Sequence, residues 1–590
     1  MESFRFFYHY LGSSVFFALI ASMFVAVLDA IGLALFIPLL QGVSKTGDAQ
    51  NADSMGRLSV ILDLFEWVGI PLTTIYILLV MVSFFTFKGL ITFVAQFYRV
   101  IMQQRFTNRI RHQLMKLLSG YNYQSFSGAD SGQIQNTFSG EIGRVTLAYR
   151  TYFVMLQFAI MASVYVLMAL YFNPKFTLMV AIGGAATNLL FSRLYRRTKV
   201  ASANLTTRMN NFQGLLIQSV KSFKFLKATN LVERYRGKVN SEIVKIEQEQ
   251  RSIGTMDAIS TALREPLVIG IIAGAMVLQI HWFGASVASL MISLLLLYRS
   301  LTSLVSIQSN YNQYLGVSGS LTNMKSFIAD LKEGQEVIFD KKYQGIGEGI
   351  RLTNLWYKYD DRLVLKNINL TIPVKSSFGI VGGSGSGKTT LANIIGGLLQ
   401  PPDGTVFIGG IDLNQIERSG YRNKIGYVTQ EPTVFSDTIA NNVTFWEPPS
   451  PMRDKRLRSA LVLAHAAEFV QQLPNGEETI IGINGVNLSG GQRQRLSIAR
   501  ELYRDVDLLI LDEATSALDS GSESMIQQNI DSLAGQYTMI IIAHRLSTLR
   551  NVDQILYLQE DGGFEIGTFN ELQSRSAQFR RLVAAQVIGA

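Results

Sequence analysis

The stretch FGIVGGSGSGKTTLANIIGGLL, Phe378–Leu399, decides the fold of the second half of this 590-residue chain. It opens on an apolar run of strand length and closes on a segment with the composition of a helix. Between them Gly382–Thr389 fits G-x-x-x-x-G-K-[ST], the order that phosphate binding demands. Gly382, Gly383, Gly385 and Gly387, with Ser384 and Ser386 between them, let backbone N–H groups close around phosphate oxygens at a helix N-terminus. Lys388 would neutralise the β- and γ-phosphates, and Thr389, followed by Thr390, offers a hydroxyl to Mg²⁺. The stretch predicts a nucleotide-binding α/β domain.

Working outward, the apolar runs from about Ile350 onward are of strand length and alternate with helical stretches, as α/β folds require. LLILDE (Leu508–Glu513) is an apolar strand ending in two carboxylates. Asp512 is expected to hold Mg²⁺ through water, and Glu513 to act as general base on an attacking water. MIIIAH (Met539–His544) is a second such strand, and His544 at its end is expected to touch the γ-phosphate. LSGGQ (Leu488–Gln492), just ahead of RQRLSIAREL, makes another anion-binding helix start, too distant in sequence from Lys388 to belong to the same loop.

Upstream the character changes. The chain is 48% hydrophobic and 16% charged, with a mean hydropathy of +0.21, which excludes a disordered chain and calls for lipid as solvent somewhere. There are no cysteines, so disulfides, thiolate metal sites and thiol nucleophiles are excluded. Residues 1–350 carry 31 Lys+Arg against 19 Asp+Glu, whereas residues 351–590 carry 22 against 25, so the whole basic excess lies in the first half. Six apolar runs there, near 14–40, 75–97, 152–172, 176–194, 266–283 and 286–307, suit a bilayer core of roughly 30 Å, which needs about 20 helical residues.

Arg99–Arg150 holds seven Lys/Arg and two acids, and Arg193–Arg251 thirteen and four, whereas residues 41–74 hold only Lys45 and Arg57 against four acids. The positive-inside rule then puts both basic loops and both termini in the cytoplasm, and the first run reads as a retained span. No nucleic-acid-binding motif accompanies the charge, and no nucleic-acid partner is expected. The two basic loops should continue the spanning helices below the membrane and turn near Ser125–Gly132 and Asn210–Leu215. Leu58, Ile61, Leu62 and Phe65 at helical spacing predict an amphipathic helix over Ser54–Gly69 on the outer surface.

Together these motifs identify residues 351–590 as resembling, along their whole length, the nucleotide-binding domain of ABC transporters. The resemblance implies ATP and Mg²⁺ as ligands and gives roles to further residues. Tyr359, in WYKYDD, sits where the family stacks an aromatic on adenine. Gln430, in YVTQEP, matches the glutamine that senses Mg²⁺ and the transmembrane domain. Ser489, Gly490, Gly491 and Gln492 form the signature loop, Asp519 matches the D-loop, and His544 the switch histidine. In the family two such domains close head-to-tail, each ATP lying between one P-loop and the other subunit's signature loop. One departure is visible: exporters of this type often carry G-E-R-G before the signature, where this chain has Ile483 and Asn484.

Six spans ahead of one ATPase domain resemble an exporter-type half-transporter. The expected fold is a six-span helical membrane domain (1–325), a linker (326–348) and an α/β P-loop ATPase domain (349–590), assembled as a domain-swapped homodimer in a bacterial inner membrane. Charged residues within the spans point to substrate. Lys88 and Arg299 fall partway along the second and sixth spans, and Arg264 at the inner end of the fifth, which together predict an anion trap. Asp29, nearer the outer edge by residue count, is expected to be a poor partner for them.

LDAIGLALFIPLL (Leu28–Leu40) and the outer amphipathic helix resemble features of transporters that flip lipid-linked oligosaccharides. The leading expectation is a flippase for a polyprenyl-pyrophosphate-linked glycan or similar anionic glycolipid. The alternative is a general lipid or multidrug exporter. A non-transporting ATPase or channel regulator is disfavoured by Glu513 and the full signature loop.

Overall fold

The computed structural model describes residues 2–35, 74–283, 287–359, 362–482, 485, 487–513, 527–528, 530–543, 545–559 and 562–588. The chain divides into two compact units, one of residues 1–121 and 125–335, the other of 122–124 and 336–590.

The first unit is helical. Its principal helices are α1 (Glu2–Leu11), α2 (Ser14–Ala34), α3 (Thr74–Ser119), α4 (Ile142–Phe172), α5 (Pro174–Lys221), α6 (Val232–Phe283) and α7 (Val287–Glu333). At 46 to 52 residues, α3, α5, α6 and α7 run roughly 70 Å or more, over twice a hydrocarbon core. The spans therefore do continue as long extramembrane helices. Among the described residues, apolar windows able to cross a membrane lie in Ser14–Gly32, Ile75–Ser119, Ser131–Tyr171 and Val232–His281.

The turn between α4 and α5 is a single residue. Asn173 closes α4 through its N–H, and its side chain then caps α5 by accepting from the Phe176 N–H at 3.2 Å, with Pro174 in the first turn. α7 packs along α4, and α6 along α5. Two apolar clusters hold the helices: Phe7, Phe106, Tyr149 and Phe153 with Met324 and Phe327, and Tyr165, Phe176 and Val180 with Leu296 and Leu297.

The first basic loop turns where expected, through short helices Tyr123–Gly128 and Ser131–Asn136. The second does not. Asn210–Leu215 lies inside α5, and the chain turns at Ser222–Leu231 around the short helix Phe223–Ala228. Asn210 and Gly214 serve a contact between helices instead. Asn210 accepts from Asn136 at 2.5 Å, and Gly214 backbone lies 2.8 Å from where a Cβ on Gly132 would stand. A side chain at Gly132 would force the two helices apart. The predicted outer helix Ser54–Gly69 lies outside the described residues.

The second unit has two sheets. Strands β1 (Ile350–Tyr359), β2 (Arg362–Ile372), β4 (Asp403–Ile408) and β5 (Ile411–Asp412) form an antiparallel sheet in the order β2-β1-β4-β5. The central sheet runs β10-β9-β3-β8-β7-β6, from β3 (Ser377–Gly382), β6 (Ile425–Val428), β7 (Leu508–Asp512), β8 (Thr538–Ile542), β9 (Gln554–Leu558) and β10 (Phe564–Gly567). All neighbours in it are parallel except β10. β7 and β8 are buried at every residue, which is why they read as unbroken apolar runs. Residues 326–333, assigned to the linker from the sequence, are the last turns of α7, whose helical pattern continues to Glu333. Lys341, also assigned there, donates its N–H to the Gln415 carbonyl at 3.2 Å and so joins the second unit.

Candidate functional site

A parallel sheet delivers everything that follows its strands to one edge. After β3 comes the glycine loop, then helix α8 (Lys388–Ile395), whose Leu391, Ile394 and Ile395 are buried and fix its start against the sheet. Gly385 and Gly387 have φ of 77° and 96°, and a Cβ on Gly387 would stand 2.8 Å from Val364 and Leu365. Lys388 is buried and donates to the carbonyls of Gly382 and Gly383 at 3.0 and 2.9 Å. Burial pulls its ammonium below the usual lysine range, against the opposing pull of Glu513 and Asp512.

Two strands away, β7 ends in buried Asp512, which is hydrogen-bonded to Thr389. Its carboxyl is pushed above the usual range by burial and then by Glu513, and is drawn back by Thr389 and Lys388. Glu513 has φ of 50°, a left-handed backbone that costs a non-glycine residue roughly 1–2 kcal/mol. That turn brings its carboxylate to Gln430, just beyond β6, whose Nε2 donates to Oε2 at 2.6 Å.

These groups surround a cleft of about 500 Å³ lined by Tyr359, Ser384, Lys388, Thr390, Gln430 and Glu513 among others. Arg362 also lines it, close to Gly385, and sequence reasoning missed it. The signal was present: Arg362 pairs with Tyr359 across the β1–β2 hairpin, so a wall containing one contains the other.

The residues fit a nucleotide on grounds internal to the molecule. The Ser386 hydroxyl is buried in the glycine loop without a hydrogen-bond partner among the described residues, and the cradle beside it admits no Cβ at Gly382. Thr389 and Asp512 supply the all-oxygen donors that suit Mg²⁺.

The signature loop is elsewhere. Ser489, Gly490, Gly491 and Gln492 open helix α9 (Gly490–Tyr503) and do not line the cleft. Ser489 and Gln492 form a reciprocal capping box: the Gln492 N–H donates to Ser489 Oγ at 3.2 Å, and the Ser489 N–H to Gln492 Oε1 at 2.8 Å. Buried Arg500 fastens α9 by donating to the carbonyls of Thr433 and Asn442 at 2.8 and 2.7 Å. Asp519, His544, Ile483 and Asn484 lie outside the described residues. β8 nevertheless ends beside β7, with the Glu513 N–H donating to the Ile542 carbonyl at 2.9 Å.

In the membrane unit the charge reading needs correcting. Asp29 does pair with Lys88, and Tyr165 donates to its other carboxylate oxygen. Residue counting from span ends misjudged this, because α2 packs against both α3 and α4 and so brings Asp29 to Lys88 and Tyr165. Arg299 lines the same cavity, of about 280 Å³, as Asp29, Lys88 and Tyr165. The Arg264 side chain lies outside the described residues.

Residues 365–516 match the family model for the ABC transporter, and residues 15–306 that for the ABC transporter transmembrane region. The chain belongs to the ABC transporters. It is a fused half-transporter of the exporter type, a multi-pass membrane protein that binds ATP and couples its hydrolysis to transport. The fold matches a solved bacterial Atm1-family ABC exporter with ATP bound (TM-score 0.77, 23% identity, 98% of each chain). Similar proteins include the heterocyst differentiation ATP-binding protein HepA of Nostoc sp. (28% identity; 94% of this chain, 91% of that one). They also include ATP-dependent lipid A-core flippases of Photorhabdus laumondii (28%; 96% and 94%) and Chromohalobacter salexigens (29%; 85% and 87%).

Proposed function

We propose that this exporter is a homodimeric flippase for an anionic glycolipid, a polyprenyl-pyrophosphate-linked glycan being the leading substrate, moved from the cytoplasmic to the outer leaflet. The observation that carries the substrate class is Arg299, which stands in a cavity of the membrane unit where the one acid among the described residues, Asp29, is already taken by Lys88 and Tyr165. A cation left without a counter-ion at membrane depth is costly, and an anionic ligand would relieve that cost. The lipid A-core flippases among the relatives support the same class.

In the ATPase unit the sequence gives each residue a proposed role. Tyr359 would face the adenine, and Gly382, Gly383, Ser384, Gly385, Ser386, Gly387 and Thr390 would cradle the phosphates around the Lys388 ammonium. Bound Mg²⁺, held by Thr389 and Asp512 with Gln430 nearby, would screen phosphate charge and polarise the bond that breaks. Glu513 would take the proton of the attacking water, and the Gln430 hydrogen bond holds its carboxylate in one orientation until then. His544, Asp519 and, from the second subunit, Ser489, Gly490, Gly491 and Gln492 would complete the site. The partner's loop arrives already shaped by its capping box. Orientation with termini and ATPase domains in the cytoplasm follows from the basic loops.

A general lipid or multidrug exporter is the second reading, favoured by one observation: pairing of Lys88 with Asp29 leaves a smaller net charge in the cavity than three free cations would. The test is reconstitution in liposomes, comparing ATPase stimulation by polyprenyl-pyrophosphate glycans, phospholipids and drugs. Glycolipid stimulation lost in Arg299→Glu is the expected result. Stimulation by drugs alone overturns the flippase reading.

A further inference from the structure

The membrane unit has a second polar cavity, an open groove of about 570 Å³ walled by α3 and α4. Arg99, Arg150, Gln96, Gln103 and Gln157 line it, and among the described residues no acid does. Arg99 donates to Gln157, and among the described residues neither arginine has a carboxylate within ion-pair distance. The contrast lies nearby on α4, where Arg144 is matched by Glu141 at 3.2 Å. Two unmatched guanidinium groups set among three amides make a site for a doubly charged oxyanion bearing hydroxyl groups.

Depth and surroundings specify what carries that anion. Arg99 and Arg150 both lie roughly 35 Å along their helices from the Thr74 and Phe172 ends, just beyond a hydrocarbon core of about 30 Å. In the orientation proposed above this is the headgroup level of the inner leaflet. From the groove a stripe of exposed apolar side chains, Val100, Phe97, Phe93 and Leu90, climbs one face of α3. A phosphate in the groove and a hydrocarbon tail on the stripe describe one amphiphile. Gln157 and Phe158 belong to the wall of this groove and also to that of the cavity holding Arg299, so the two sites share a partition.

We infer that the groove is an entry site for the phosphate-bearing headgroup of a lipid, gripped by Arg99 and Arg150 and passed across Gln157 to Arg299. The inference rests on the flippase reading and adds to it a first station for the substrate. Binding to the full-length protein in phosphatidylcholine nanodiscs would be measured for three probes: a polyprenyl pyrophosphate, phosphatidic acid and inorganic pyrophosphate. Both lipids should bind, inorganic pyrophosphate at least about tenfold more weakly, and R99Q/R150Q should weaken lipid binding by roughly tenfold or more. R99K/R150K keeps the charge and should recover most of the affinity, which separates lost recognition from lost folding.

Wild-type lipid affinity in R99Q/R150Q overturns the entry site. So does inorganic pyrophosphate binding as tightly as the lipids, which would make the occupant a soluble anion. If phosphatidic acid binding needs the arginines but no polyprenyl-linked glycan stimulates the ATPase, the entry site stands and the glycan reading falls. If glycan stimulation survives R99Q/R150Q and is lost in Arg299→Glu, the reverse holds.

Discussion

In the ATPase unit, buried Lys388 rests on two carbonyls of its own loop, while Asp512 and Glu513 stand close by without forming an ion pair to it. In the membrane unit, Lys88 is matched directly by Asp29, which Tyr165 also holds. The first arrangement leaves charge to be met by a ligand. The second cancels it within the protein, as a structural pair in low dielectric must. Where both kinds occur in one molecule, the functional reading proposed above assigns the unmatched charge, at the P-loop, Arg299 and the Arg99–Arg150 groove, to ligands.

The sharpest way to break this comparison is at Glu513. Glu513→Gln keeps the shape and the approach to Gln430 but removes the proton acceptor, so ATP hydrolysis should fall by about 100-fold or more while ATP binding persists. Hydrolysis at the wild-type rate, measured as phosphate release by the reconstituted protein, would sink the general-base assignment. The paired cluster should answer differently. Lys88→Met leaves Asp29 in the membrane without its cation and should lower stability by about 3 kcal/mol, much of it restored by the double change D29N/K88M. Thermal melting of the purified variants reads this. A single variant as stable as wild type would mean that the pair contributes nothing.

Smaller than both is the effect of Arg362→Ala. The arginine lines the cleft beside Gly385 without entering any hydrolytic role, so it should raise the Kd for ATP by roughly three- to tenfold and leave the hydrolysis rate at saturation nearly unchanged. A fall in that rate at unchanged affinity would instead give Arg362 a part in the chemistry.

The same contrast explains what the sequence discloses. The phosphate end of the ATPase site is legible because the glycine loop, Glu513 and Gln430 each follow a strand of the parallel sheet within a residue or two, with Asp512 closing β7, and that sheet gathers strand ends without further instruction. Gly382–Thr389, Asp512 and Glu513 need only their own neighbours to be read. The membrane cluster is assembled from residues 59 and 136 positions apart, brought together by packing of α2 against α3 and α4 that no local pattern encodes. Asn210 and Gly214 misled for the same reason, since an asparagine and a glycine that suit a turn equally suit a close helix crossing.

The smallest effect expected is one of pH, and its sign differs between the buried acid and the buried base of the ATPase site. The Asp512 carboxyl titrates above an ordinary aspartate because burial and Glu513 disfavour its charge. Folded protein without ligand therefore takes up a proton there before the unfolded chain does, and as pH falls through that raised value the folded state gains stability. Lys388 is displaced the other way, so its contribution appears only at alkaline pH, where stability gains as pH rises through the lowered folded value toward that of a free lysine. Nucleotide-free Asp512→Asn should accordingly melt about 2 °C higher than wild type at neutral pH, with the gap closing as the solution is acidified. Its Mg²⁺-dependent ATP binding should be weakened throughout, and wild-type Mg²⁺ affinity should begin to fall at a higher pH than that of an exposed carboxylate site. Melting curves of the two proteins from pH 8 down to pH 4.5 measure the first effect and Mg²⁺ titrations the second. A gap that widened on acidification would mean that Asp512 is stabilised in its charged form, and the distinction between charge kept for a ligand and charge cancelled in place would fail at its central residue.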